Sequence, residues 1–210
     1  MESTIFAGAV TVEEGGLFRR KPGQDSWELL QAGLPDRVKV YAIVEGQGDT
    51  LFVGAHQGVF RSDDGGESWA DMQVPADGRP IYSLLVHPGA PDTIYAGSDP
   101  AAIFKSQDGG ATWRRLATVQ PEGAITGCFP VRVLKMAIDP SDTDHIYAAL
   151  EVGGVIRSLD GGESWEDISG GLLELSHEPH LRNCILSDDL TEGMMDLHAL
   201  TVSAEQPGTL

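Results

Sequence analysis

Short runs of alternating apolar residues recur along the chain, each followed by a turn rich in Pro, Asp or Gly. One such run opens each of three repeats, at residues 40–44, 81–86 and 133–138. Two more runs rich in β-branched and aromatic residues follow in each repeat, and a fourth begins at a tryptophan. Short runs of this kind between turn formers indicate antiparallel strands. The pattern therefore predicts four strands per repeat, which we call A, B, C and D in chain order.

One phrase, Ser-x-Asp-Gly-Gly-x-(Ser/Thr)-Trp, fills the connection between strands C and D in three copies. The copies cover residues 62–69, 106–113 and 158–165, and a degenerate fourth copy ends at Trp27. Counted from Trp27, successive tryptophans lie 42, 44 and 52 positions apart. Four strands repeated at roughly this period are typical of a β-propeller blade, so the pattern predicts an all-β propeller.

Each copy of the phrase is expected to form a tight structural turn. The aspartate is a short acceptor for nearby N–H groups, the glycines allow positive φ, and the tryptophan covers the base of the hairpin. A calcium loop would need alternating oxygen ligands and a closing glutamate, which the phrase lacks. The residues assigned to the structural turns are Ser62, Asp64, Gly66, Trp69, Ser106, Asp108, Gly110, Trp113, Ser158, Asp160, Gly162 and Trp165. The basic residues at the end of strand C (Arg19, Arg61, Lys105 and Arg157) share one repeat position, which predicts a shared structural role.

With this phrase the chain resembles the Asp-box, or BNR, propellers over essentially its whole length. These include sialidases, xyloglucan-cleaving hydrolases, sortilin-type receptors and photosystem II assembly factors. The resemblance implies the propeller fold, with the Asp-box as a structural hairpin away from the active face. Residues 18–22 look superficially like the motif that carries the first arginine of sialidases, but Arg19 occupies the repeat position of strand C. No catalytic residue is therefore carried over to this chain.

The repeats predict one propeller domain over residues 1–210, with blades at about 4–31, 38–74, 80–119 and 132–169 and the start of a fifth at 196–210. The first blade begins at its strand B, and residues 197–202 have the pattern of another strand A. That strand could close a ring of four blades. Alternatively, the chain is the first part of a six- to eight-bladed propeller, which we favour because its last residues match the start of another strand B. A short helical turn is expected at 172–177.

The formal net charge of −18 argues against nucleic acid and anionic membranes as partners, because both attract basic surfaces. The first residues lack the basic start and apolar core of a signal peptide, so a cytoplasmic location is expected. Cys128 and Cys184 do not form a disulfide framework, and both are expected to be reduced.

The candidate ligand face lies opposite the Asp-Gly-Gly turns, where the D–A and B–C connections of an up-and-down blade emerge. Two D–A connections, at 117–132 and 169–196, are longer than a turn requires, and long loops of this kind are often functional. The ligand-face candidates are Arg132, His177, His180, Arg182, Asp188, Asp189 and His198. The B–C loops add Glu13, Glu14, Asp99 and Glu151.

The most specific chemical hypothesis for the second long loop is a metal ion bound by His177 and His180. The intervening Pro179 breaks any helix and the spacing matches no known metal signature, so neither a metal nor a cofactor is expected. The function predicted is a non-catalytic binding or interaction scaffold for a protein or carbohydrate. The alternatives are a glycoside hydrolase of the sialidase-like or xyloglucanase-like type, with catalytic residues partly in missing blades, and a scaffold like the photosystem assembly factors.

Overall fold

The computed structural model describes residues 3–11, 13–118, 121, 130–185, 188–189, 191–203 and 205. Within these residues the chain forms one three-stranded and three four-stranded antiparallel sheets. The first sheet contains β1 (Ile5–Val10), β2 (Gly15–Arg20) and β3 (Glu28–Leu30), and the second contains β4 (Val40–Glu45), β5 (Leu51–Ala55), β6 (Gly58–Ser62) and β7 (Ala70–Asp71). The third contains β8 (Ile81–Val86), β9 (Ile94–Ser98), β10 (Ile103–Ser106) and β11 (Arg114–Arg115), and the fourth contains β12 (Arg132–Asp139), β13 (Asp142–Glu151), β14 (Gly154–Ser158) and β15 (Glu166–Asp167).

Each sheet is a simple meander whose strands pair in chain order. The first strands of neighbouring sheets pack on one another, β4 against β8 and β8 against β12. These strands of type A therefore lie nearest the common axis, and the short strands of type D lie outermost. This is the blade arrangement of a β-propeller, so the predicted fold is confirmed.

The apolar core lies between successive sheets in three clusters. Val53 and Leu17 belong to the cluster between the first two sheets, Phe52 and Ile81 to the next, and Ile103 to the third. All five are at most 2% exposed. Because each sheet buries its faces only against its neighbours, the stability of one blade depends on the blades beside it.

The Asp-Gly-Gly turns have nearly the same hydrogen bonds in all three copies. In the first, Asp64 Oδ1 accepts from the Ser62 hydroxyl at 2.7 Å and from the Ser68 N–H at 2.9 Å, and Asp64 Oδ2 accepts from the Ser68 hydroxyl at 2.6 Å. Both glycines have positive φ, 69° for Gly65 and 87° for Gly66. The copies around Asp108 and Asp160 repeat these bonds. The phrase is thus a closed structural turn, as its residue types predict.

The tryptophans of the turns differ in their polar contacts. Trp113 donates its indole N–H to the Gly110 carbonyl at 2.9 Å, and Trp165 donates to the Gly162 carbonyl at 3.1 Å. The buried Nε1 of Trp69 has no hydrogen-bond partner in the described part of the chain. The copies therefore agree in the aspartate network and differ in how the indole N–H is satisfied.

The basic residue of strand C joins each sheet to the next. Arg61 Nη1 donates to the Gly109 carbonyl at 2.6 Å, and Lys105 Nζ donates to the Gly161 carbonyl at 2.8 Å. Arg19 reaches the Gly65 carbonyl at 3.3 Å in the same way. Each acceptor is the first glycine of the next turn, which is the shared structural role that the repeat position predicts. Arg157, in the last sheet, instead pairs with Glu166 of its own sheet at 2.6 Å.

Two short helices follow the fourth sheet, α1 (Gly170–Leu175) and α2 (Glu192–Met195). Helix α1 overlaps the predicted helical turn, although it begins earlier. Residues 197–202, where the pattern predicts a strand, are irregular and pair with no strand of the described chain. Among the described residues no helix has the length and apolar character needed to span a bilayer. Cys184 is an exposed free thiol, whereas Cys128 lies outside the described residues.

Candidate functional site

The strands of type A begin on the face that carries the D–A and B–C connections, which we call the loop face. The start of each is paired with the end of its strand B, because Val40 lies opposite Ala55, Ile81 opposite Ser98, and Arg132 opposite Glu151. Side chains at the starts of these strands and in the B–C connections therefore meet on one face, opposite the Asp-Gly-Gly turns.

Three side chains from three neighbouring blades form a stack on the loop face. The rings of Tyr41 and Tyr82, each the second residue of its strand, have centroids 4.2 Å apart and are inclined by 25°. The Arg132 guanidinium carbon lies 5.4 Å from the centroid of the Tyr82 ring. Because Tyr41 covers one face of Tyr82, Arg132 must lie over the other. The order Tyr41, Tyr82, Arg132 follows the order of the blades.

Two carboxylates hold the arginine in place. Arg132 Nε donates to Asp99 Oδ2 at 2.8 Å, and Arg132 Nη1 donates to Glu151 Oε2 at 2.8 Å. The carboxylate side chains are only 15% and 11% exposed, so these ion pairs are less screened by solvent than surface pairs. Both carboxylates lie in or beside B–C connections, which places Arg132 between two blades.

Burial and charge act in opposite directions on Arg132. Burial lowers the pKa of its guanidinium, but the hydrogen bond to Asp99 and the charge of Glu151 raise it by more, so the pKa lies above its usual value. Burial, together with the neighbouring Tyr82, raises the pKa of Tyr41 to about 12. The Tyr41 hydroxyl is therefore neutral at physiological pH, able both to donate and to accept a hydrogen bond.

A third carboxylate and a histidine approach the same site from the segment after α2. His198 Nε2 lies 3.2 Å from Asp196 Oδ1. One ligand atom from each of Glu151, Asp196 and His198 lies within 4.8 Å of the other two. Met195, fully buried, packs over Gly154, where an added Cβ would lie 2.8 Å from the methionine Cε. This packing brings Asp196 close to the β13–β14 connection.

Of the seven predicted ligand-face residues, Arg132 and His198 lie at this site, and Glu151 links them. Two others form hydrogen bonds within their own connection. Arg182 Nε donates to the His177 carbonyl at 3.1 Å, and Asp189 Oδ1 accepts from the Thr191 N–H at 2.9 Å. His180 and Asp188 are exposed. A ligand-binding role for these five residues (His177, His180, Arg182, Asp188 and Asp189) stays a prediction.

Sequence reasoning missed the two tyrosines and Asp196. Tyr41 and Tyr82 read as ordinary residues of apolar strands, and their stacking depends on the alignment of two blades. The signal that could have revealed them is the tyrosine at the second position of two successive strands of type A. Asp196 carries no local signal, because its position depends on the packing of α2.

Comparison with known proteins gives a family and several more distant relatives. Residues 11–171 match the family described as DUF6242 beta propeller domain. The chain is 30% identical over 92 residues to an oligoxyloglucan-reducing end-specific xyloglucanase from Emericella nidulans, covering 43% of this chain and 11% of that protein. It is 28% identical over 129 residues to the photosystem II assembly lipoprotein Ycf48 of a Synechococcus species, covering 60% of this chain and 36% of that protein.

Among solved structures, an ancestral GH74 enzyme superposes with a TM-score of 0.59 at 24% sequence identity. The match covers 74% of this chain and 21% of the enzyme. At this identity the similarity shows the propeller fold alone. The chain thus spans only about a tenth to a third of the length of these curated relatives.

Proposed function

The chain belongs to the DUF6242 β-propeller domain family, and we propose that its loop face binds a carbohydrate without cleaving it. The observation that carries this proposal is the stack of Tyr41, Tyr82 and Arg132 across three blades. The turn geometry also supports assigning the Asp-Gly-Gly hairpins to the Asp-box repeats of sialidase-like propellers, which leaves the loop face for binding.

The stack offers both kinds of surface that a sugar ring needs. A sugar ring has apolar C–H groups on its faces and hydroxyl groups around its edge. Covering an aromatic face with C–H groups is favourable by roughly 25 cal/mol per Å² of apolar surface removed from water. Carboxylates and phenol hydroxyls beside the ring can then accept hydrogen bonds from the sugar hydroxyls.

Tyr41 is the end of the stack at which a sugar would dock. Tyr82 has Tyr41 on one face and Arg132 on the other, so neither of its faces remains for a ligand. The outer face of the partly exposed Tyr41, on the side away from Tyr82, is therefore the proposed docking surface.

The same contacts favour binding over hydrolysis. A glycosidase needs two carboxylates with different roles, one of which donates a proton to the leaving group. Asp99 and Glu151 both accept hydrogen bonds from Arg132, so both act as acceptors in one ion-pair network. The similarity to the Emericella nidulans xyloglucanase favours hydrolysis of xyloglucan oligosaccharides as a second candidate, and it makes xyloglucan the first ligand to test.

Isothermal titration calorimetry with xyloglucan oligosaccharides, cello-oligosaccharides and sialyllactose tests the proposal. We expect saturable binding of a glucan oligosaccharide, with Kd raised about tenfold or more by Tyr41→Ala, because about 1.4 kcal/mol of stacking corresponds to a factor of ten. Trp27→Ala is the matched control, since Trp27 is an aromatic residue 46% exposed on the opposite face. Its Kd should stay within about twofold of the wild-type value.

Three outcomes would count against the proposal. Absence of binding to every saccharide would remove the carbohydrate ligand and leave a protein partner as the competing class. An equal effect of the Tyr41 and Trp27 substitutions would remove the loop face as the binding surface. New reducing ends released during the titration, and lost in Asp99→Asn or Glu151→Gln, would replace binding with the second candidate.

A further inference from the structure

Glu151, Asp196 and His198 bring three potential metal ligands together from two separate segments. Glu151 is the last residue of β13, and the other two follow α2. Their ligand atoms lie within 4.8 Å of one another, and no other group of three such residues occurs in the described chain. We propose that these residues form a binding site for one divalent transition-metal ion of the zinc type.

The distances suit a small tetrahedral ion. Zinc binds carboxylate oxygen and imidazole nitrogen at about 2.0–2.2 Å, so two ligand atoms of a tetrahedral site lie about 3.3–3.5 Å apart. The distance of 3.2 Å between His198 Nε2 and Asp196 Oδ1 is already close to that separation of ligand atoms. Glu151 uses Oε2 for Arg132, which leaves Oε1 for the metal after a small rotation of the carboxylate.

The local charge also favours a cation. Asp99, Glu151 and Asp196 carry three negative charges around the single positive charge of Arg132, which leaves a net charge of −2. The side chain of Asp196 is only 14% exposed, and its buried Oδ1 atom lies 3.2 Å from His198 Nε2 without accepting a hydrogen bond in the described chain. A buried carboxylate oxygen that accepts no hydrogen bond is costly. A divalent cation at this position would satisfy it and would balance the excess charge.

The type of ligands selects the class of metal. Calcium and magnesium prefer sets made wholly of oxygen atoms, whereas an imidazole favours zinc and its neighbours in the first transition row. Two carboxylates and one histidine leave a fourth position for water, as in zinc sites with three protein ligands. His198 is 65% exposed, so this fourth position faces solvent.

A bound ion would tie the segment after α2 to the β13–β14 connection. Glu151 would then contact Arg132 through one oxygen and the metal through the other, so the ion would stand beside the stack without covering Tyr41. The inference rests on the geometry of these ligands and does not depend on the nature of the carbohydrate.

Zinc titration of the untagged full chain by calorimetry tests the site. We expect one Zn²⁺ per chain, with affinity lowered about tenfold or more by His198→Ala and by Asp196→Asn, because each removes a direct ligand. His145→Ala is the matched control. His145 also pairs with an aspartate, with 3.5 Å between its Nε2 and Asp142 Oδ2, but no third ligand joins it among the residues that the structure describes. Its zinc affinity should stay within about twofold of wild type.

A second readout separates a lost ligand from a lost fold. Zinc should raise the Tm of the wild-type chain and of His145→Ala, and should raise that of His198→Ala by less at the same zinc concentration, because stabilisation by a bound ion falls as its affinity falls. Circular dichroism without metal should be the same for all three. No saturable zinc binding, binding unaffected by His198→Ala, or binding lost equally in His145→Ala would overturn the proposal.

Discussion

Arg132 contacts three other side chains of the loop face. It covers Tyr82, pairs with Asp99 and Glu151, and stands at the first position of β12. A lysine could supply the charge, but it lacks the planar fork that donates to two carboxylates while stacking on a ring. The identity of this residue therefore fixes the relative positions of two B–C connections.

The aspartates of the Asp-Gly-Gly turns are a second example of one residue type organising its surroundings. Hydrogen bonds from the hydroxyl and N–H of Thr112, with a further one from Ser106, hold the pKa of Asp108 at about 2, below its usual value. In the same way, the hydroxyl and N–H of Ser164, with Ser158, hold the pKa of Asp160 at about 2. Both side chains therefore act as fixed, charged acceptors at neutral pH.

The lowered pKa of Asp108 and Asp160 predicts how acid affects the stability of the fold. A carboxyl group whose pKa is lower in the folded than in the unfolded chain stabilises the fold above its unfolded value, near 4. That contribution is lost as the pH falls from about 4 to about 2. The urea midpoint of the wild-type chain should therefore drop over this range, and Asp108→Asn should show a smaller drop. Asp25→Asn, in the degenerate copy, serves as the control, and a drop equally reduced in both variants would contradict the prediction.

At the scale of strands and turns, the repeat provides two contacts from each blade to the next. The strand C cation reaches the first glycine carbonyl of the following turn, as Arg61 does with Gly109. A glycine in strand B also allows close approach, since an added Cβ on Gly97 would lie 2.5 Å from the Val133 side chain of the next sheet. The sequence repeat thus encodes the contacts between neighbouring blades as well as the strands within each blade.

Arg19 is the most buried of these basic residues, at 2% exposure. It donates to both oxygens of Glu67 in the next sheet and to Glu28 in its own. Replacing it with methionine should lower the free energy of unfolding by about 2 kcal/mol, because several charge-assisted hydrogen bonds are lost, although the carboxylates are half-exposed. Urea denaturation measures the change.

Two other arginines provide the comparison for that measurement. Arg20→Met alters the next residue of the same strand, which is exposed, and should cost no more than about 0.5 kcal/mol. Arg157→Met should cost about 1 kcal/mol or less, because Arg157 pairs with the half-exposed Glu166. If Arg19→Met were no more destabilising than Arg20→Met, the joint between the first two blades would not depend on this residue.

For the whole molecule, the sequence predicts the fold better than the site. The Asp-Gly-Gly phrase marks each C–D turn, so it identifies the strands on either side and thereby the propeller. Arg132 and His198 are predictable as candidates, since they are polar residues in or next to long connections. The stack of Tyr41 on Tyr82 is not, because the contact joins residues 41 positions apart through the alignment of two blades.

The segment after the fourth sheet also shows what a local sequence pattern cannot predict. Residues 197–202 alternate like a strand, but a strand also needs a partner edge, and in the described chain they have none. What places Asp196 and His198 beside Glu151 is the packing of Met195 over Gly154. The local sequence pattern indicates which secondary structure a segment can form, whereas tertiary packing determines where its side chains lie.

Hydrogen–deuterium exchange of the full chain with and without a saturating xyloglucan oligosaccharide tests the central claim, that the loop face is the binding face. We predict slower exchange in peptides covering the starts of β4 and β8 and the β9–β10 connection, where Tyr41, Tyr82 and Asp99 lie. Peptides covering the Asp-Gly-Gly turns should be unchanged. Protection confined to those turns, or no protection at a ligand concentration that saturates binding, would contradict the claim.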